Sequence, residues 1–150
     1  MKPRTRARCV ALQALYEIDI VGHSAEEAIQ FRLEEEAFNP NLIAFIKEIV
    51  NGVWPRVGIL DQIIAEHAPE WPLEQIATID RNILRIALWE LAVYKQTPLK
   101  VSINEAVELA KIYGSDSSPR FVNGVLGSLS LQENDIKQKI ERILELENPG

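Results

Sequence analysis

Apolar residues in this chain return every third or fourth position almost from end to end, and no stretch of useful length alternates with period two. The first spacing lines one face of an α-helix, whereas a half-buried strand needs the second, so the pattern predicts an all-α fold. Ala7, Val10, Ala11, Ala14, Leu15 and Ile18 make the first stripe, and Gly22 ends it. Ser24 and Glu27 have the spacing of a capping box for a second helix running to about Glu36. Asn39-Pro40 opens a third, with proline at a tolerated first-turn position. Its stripe runs through Ile46, Ile49, Val50, Val53, Val57, Leu60 and Ile64, past Pro55. That register predicts one long helix kinked at Pro55, with a break at Trp54-Pro55 as the alternative.

Pro69 and Pro72 bracket Trp71 and mark the clearest boundary. It predicts one domain of two helical subdomains, about 1–70 and 71–150, a three-helix bundle beside a C-terminal bundle. Beyond a short turn at Leu73–Ala77, the residues Ile79, Ile83, Ile86, Ala87, Leu91 and Tyr94 stripe an amphipathic helix. Ser102 with Glu105 reads as a second capping box, and Gly114 as a left-handed helix stop. Pro119 opens a helix carrying Phe121, Val122, Val125, Leu126 and Leu129, and Asn134 caps a charged final one.

Charge narrows the functional classes. Lys2, Arg4, Arg6 and Arg8 fall within the first eight residues, and without these four the formal charge of −6 becomes −10. An acidic body argues against indiscriminate binding to nucleic acid or anionic lipid, so any RNA contact is confined to a patch. The arm itself has two readings from composition: a solvated terminus, or a phosphate contact that gains by releasing counterions. No apolar run approaches the ~18–20 residues that span a bilayer, and no cleavage site follows the basic start, so a cytoplasmic protein without a membrane partner is expected. The single Cys9 fits a reducing compartment, and its arginine neighbours would lower its pKa.

Enzyme motifs are missing: there is no phosphate-cradling glycine loop, nucleophile elbow or His–Glu metal helix. The expectation is no catalysis, no cofactor and no metal. Glu34-Glu35-Glu36 reads as a solvated helix face. The loop 113–123 offers the Ser115, Ser117 and Ser118 hydroxyls, Arg120, Phe121 and Asn123 at the start of a helix. Such an end suits a phosphate, and an aromatic beside arginine suits an unstacked base; equally, Phe121 could be a core anchor and the serines a cap.

Three ordered motifs go further. Ile83-Leu84-Arg85-Ile86-Ala87-Leu88-Trp89-Glu90-Leu91 is followed by Pro98-Leu99-Lys100-Val101-Ser102-Ile103-Asn104-Glu105-Ala106-Val107-Glu108-Leu109-Ala110-Lys111, then Arg120-Phe121-Val122-Asn123-Gly124-Val125-Leu126. With Arg6-Ala7-Arg8 and Ala11-Leu12-Gln13-Ala14-Leu15-Tyr16 near the start, the chain resembles the NusB family of bacterial transcription antitermination factors over nearly its whole length, the helix beyond about Leu131 excepted.

The resemblance implies two helical bundles side by side and binding to boxA RNA of ribosomal RNA leader transcripts. It also implies a heterodimer with the ribosomal protein NusE, within an antitermination complex of RNA polymerase and other Nus factors. RNA contacts then correspond to Lys2, Arg4, Arg6, Arg8, Ser117, Arg120, Phe121 and Asn123, and the partner surface to Tyr16, Glu74 and Asp80. Where some members carry a carboxylate before the last conserved helix, this chain has Ser117, with Asp116 one residue earlier. An RNA-independent protein-interaction adaptor is the alternative, and monomer and homodimer both stay open.

Overall fold

Pro3 decides how the chain begins. Lys2 is extended (φ −64°, ψ 144°) and Pro3 takes the first helical position, so the basic arm is the first two turns of α1 (Pro3–Val21). The computed structural model describes residues 1–147, which form eight α-helices. Gly22 stops α1 at φ 83°, its N–H donating to the Ile18 carbonyl. The Ser24 hydroxyl accepts from the Glu27 N–H at 3.1 Å and opens α2 (Ala25–Glu35). The Asn39 side chain accepts from the Leu42 N–H at 2.9 Å and opens α3 (Pro40–Val53).

The expected single kinked helix is two. A 3-10 turn at Trp54–Arg56 separates α3 from α4 (Val57–His67), because Pro55 has no N–H for the α-helical ladder. The Arg56 guanidinium donates to the Gly52 carbonyl at 2.9 Å across that turn. Gly52 is also a close-approach site: a Cβ there would sit 2.3 Å from Trp89 Nε1.

A 3-10 turn at Leu73–Gln75 leads to α5 (Thr78–Trp89), which widens into a π-helical turn, Glu90–Tyr94, ending at Lys95 (φ 60°). Three expectations about caps fail beyond it. Ser102 does not cap: α6 (Leu99–Tyr113) begins three residues earlier, and the Ser102 hydroxyl donates to the Ala87 carbonyl at 3.3 Å. Gly114 is extended (φ −87°, ψ −174°), not left-handed. It is required by space instead, since a Cβ would lie 2.4 Å from Ser118 Cβ. Pro119 is in the first turn of α7 (Ser118–Ser130) as expected, whereas Asn134 lies inside the first turn of α8 (Glu133–Glu147).

Helix α1 packs against α2, α3 and α5; α5 in turn meets α4, α6 and α7, and α8 lies along the π-turn. Leu12, Leu15, Ile46, Ile49, Leu60, Ile63, Ile83, Leu84, Leu88 and Leu109 are fully buried in one continuous cluster. Each such side chain contributes about 1.5–3 kcal/mol of burial. The cluster is pinned by a polar hub in which Arg85 donates to both Asp61 oxygens at 2.7 Å and to Asp19 at 2.9 Å, tying α5 to α4 and α1. No helix among the described residues is long and apolar enough to cross a membrane.

Candidate nucleic-acid and partner interface

A helical arm separates its cations by 100° per residue, so Arg4 and Arg8 share one side of α1 while Arg6 points to the other. Arg4 lies 3.7 Å above the Phe45 ring and donates to the Tyr94 hydroxyl at 3.0 Å, yet remains exposed beside Lys2. Arg6 pairs with Glu36 at 2.8 Å. Thr5, between them, is buried and donates to Glu105. Four cations at a helix N-terminus oppose the helix dipole, and Glu36, Glu90 and Glu105 supply the compensating charge.

Arg8 departs from the expected role. It is 4 % exposed, and its Nε and Nη2 donate to the two oxygens of Glu90 at 2.9 and 2.8 Å, with Glu105 at 3.6 Å from Nη1. Burial alone would lower its pKa, but the bonds to Glu90 and the field of Glu105 outweigh that and raise it. Its donors are turned to carboxylates, so that Arg8 joins α1 to the π-turn and α6 while it lines the floor of the cleft beside Lys2 and Arg4. Cys9 also corrects its expectation. Burial pushes its thiol above the ordinary value, and Tyr113 and Arg6 beside it only partly offset this.

The second group gathers at the start of α7. The Ser115 N–H donates to the Ser118 hydroxyl at 2.9 Å, folding the loop back on the buried Ser118. Ser117 occupies the N-cap position without a side-chain cap bond, and its hydroxyl is exposed, 3.3 Å from that of Ser115. Arg120 and Asn123, three apart, face solvent together. Phe121 is half-buried and meets Trp71 edge-on, ring centroids 6.3 Å apart at 79°. The arm and this loop line different clefts: one of about 390 Å³ includes Lys2, Arg4, Tyr94 and Gln96, the other, of about 330 Å³, Trp71, Arg120 and Phe121.

Between the two groups, a groove of about 220 Å³ is lined by Leu12, Gln13, Tyr16, Arg32, Ile79 and Tyr113. Tyr16 is 39 % exposed and Glu74 is exposed on its 3-10 turn, as a partner surface requires. Asp80 is not, being 8 % exposed with Oδ1 lacking any hydrogen-bond partner. Burial raises its pKa above the ordinary 3.8, against the opposing effect of the Ser118 hydroxyl. Its carboxylate therefore faces the α7 loop from below and is not part of the open surface. Among the described residues, no group of three His, Cys, Asp or Glu side chains is placed to hold a metal ion.

Sequence reasoning missed Glu90, Glu105 and Glu36 as counterions of the arm, and Trp71 as neighbour of Phe121. Glu90 carried a signal: a lone carboxylate in the run Ile83–Ala92 needs a buried cation.

The NusB family model matches residues 5–130. The transcription antitermination protein NusB of Roseiflexus sp. (strain RS-1) is 51 % identical over 128 residues, covering 84 % of this chain and 90 % of that protein. Among solved structures, T. maritima NusB matches with TM-score 0.77 and 29 % identity, over 91 % of this chain and 92 % of that one. A chain in the crystal structure of antitermination factors NusB and NusE in complex with dsRNA matches with TM-score 0.77 and 26 % identity, over 93 % and 98 %.

Proposed function

The chain belongs to the NusB family, and from that premise we propose that it is an RNA-binding transcription antitermination factor. It binds boxA RNA of ribosomal RNA leader transcripts together with NusE and makes RNA polymerase resistant to termination. The observation that carries this reading is the likeness, over nearly the full length of both chains, to a protein crystallised with NusE and RNA. Assembly with RNA polymerase and the other Nus factors is the wider setting that family membership supports.

The mechanism is assembly. Lys2 and Arg4 hold phosphates at the exposed end of α1, with Arg6 at their flank. The start of α7 offers the side chains of Ser117, Arg120 and Asn123, and Phe121 supplies a ring for stacking. NusE, a basic partner, docks on the face of Tyr16 and Glu74, where the carboxylate adds association rate and specificity. Arg8 and Asp80 support these surfaces from within.

Titration of labelled boxA RNA with and without NusE tests the reading. The expected outcome is preference over a scrambled RNA of equal length, tightened by NusE. Equal affinity for both RNAs in both conditions would overturn it. Sizing the same samples distinguishes monomer, homodimer and heterodimer.

A further inference from the structure

Trp71 stands out from the other two tryptophans: it is 52 % exposed, whereas Trp89 is buried and Trp54 half-buried. Its segment, between Pro69 and Pro72, closes one side of the 330 Å³ cleft whose other wall is the first turn of α7. His67, Glu70, Trp71, Arg120, Phe121 and Gly124 line it. Its size lies at the small end of the roughly 300–1,000 Å³ typical of ligand pockets, room for one nucleobase and its ribose.

We infer that this cleft holds a single unstacked RNA base, with Trp71 as a stacking platform beside Phe121. The inference rests on the RNA-binding reading above and adds to it a residue and a subsite. The chemistry of the walls chooses the occupant. The edge-on Trp71–Phe121 pair presents aromatic surface from two elements, and stacking accepts any base through its π-face. Arg120 is exposed at the rim, beside Asn123, where the phosphate of a bound nucleotide would lie. Glu70 lines the same cleft, and a carboxylate there repels a phosphate but accepts from the amino or imino N–H of a base. A phosphate alone therefore does not fit, whereas a base with its phosphate outward satisfies both charges. Nothing obstructs entry at Gly124, around whose Cα a Cβ would find open space. The cleft is continuous with the Phe121 turn, so a strand crossing the start of α7 could place one base there without a bend.

The test uses the full chain with NusE and labelled single-stranded boxA RNA, together with an RNA series in which one base at a time is removed to leave an abasic ribose. Wild type is compared with Trp71→Ala and Trp71→Phe, both first checked for unchanged helical content and melting. Trp71→Ala is expected to weaken RNA binding about 5- to 150-fold, the range of one aromatic–base stack, while Trp71→Phe stays within about threefold of wild type. One abasic position should weaken wild type by a similar factor and leave Trp71→Ala no weaker than before, since both changes remove the same stack. Wild-type affinity in Trp71→Ala, or equal losses at every abasic position, overturns the subsite while leaving RNA binding intact. Loss of NusE binding by Trp71→Ala in the absence of RNA overturns it in favour of a protein occupant. Failure of wild type to prefer boxA RNA defeats the underlying reading, and the subsite with it.

Discussion

Arg8 and Lys2 carry the same charge and do different work, and the difference is measurable in stability against affinity. Arg8 and Glu90 are 4 % and 1 % exposed, so removing either leaves a buried charge without its partner. That loss is worth about 3–5 kcal/mol, far more than an exposed pair contributes. Glu90→Ala is therefore expected to lower unfolding stability by about 3–5 kcal/mol in urea titrations, and Arg8→Ala by a comparable amount. At a temperature where it is still folded, Arg8→Ala should bind RNA within about threefold of wild type. Lys2→Ala, by contrast, should keep its stability and lose affinity. An Arg8→Ala protein of normal stability and weakened RNA binding would return Arg8 to the RNA surface.

Among the elements, the α6–α7 connection is the most exacting, and glycine sets it. A Cβ on Gly114 would meet Ser118 Oγ at 2.5 Å and the Ala110 carbonyl at 2.8 Å, so Gly114→Ala must move the loop that holds Ser115, Ser117 and Ser118. Overpacking of this kind costs about 1–3 kcal/mol, and the displaced loop should weaken RNA binding more than Gly22→Ala, whose strained left-handed position lies far along the chain. Equal RNA affinity in the two variants would show that loop geometry does not matter to binding. The helices themselves were legible because each buries an unbroken three-to-four stripe, and the Ser24, Asn39 and Gly22 boundaries followed from local hydrogen bonding alone. What escaped depended on partners distant in sequence. Ser102 and Glu105 have capping-box spacing, yet Pro98 starts the helix earlier and the two side chains are drawn to Ala87 and Thr5. Likewise the charge of the arm was visible, but its direction was not, since Pro3 sets the helical phase that turns Arg8 inward. Asp80 and Trp71 were misjudged or overlooked for the same reason: each owes its setting to α7, about forty or more residues away. Helix α8 lies beyond the family match at residue 130, yet buries Ile136 and Ile140 and pairs Lys139 with Glu66, so it belongs to the fold.

For the whole molecule, the structure revises how much charge is available to RNA. Formal charge is −6, and of the four arm cations Arg6 and Arg8 are held by Glu36 and Glu90. Lys2, Arg4 and Arg120 are exposed and form no ion pair among the described residues, leaving three free cations among the candidate RNA contacts. Each phosphate contact on a single strand contributes roughly −0.7 to the slope of log K against log salt, so three contacts give about −2. Recruiting Arg6 and Arg8 as well would bring it to roughly −3.5, at the expense of two carboxylate bonds. The protein alone is therefore expected to bind boxA RNA weakly, with a slope near −2, and the basic NusE should both tighten binding and steepen the slope. Fluorescence titrations over a series of salt concentrations, with and without NusE, read both quantities. A slope near −3.5 for the protein alone would mean that the arm unlocks from Glu36 and Glu90 on RNA, and Arg8 would then be a switch between packing and binding.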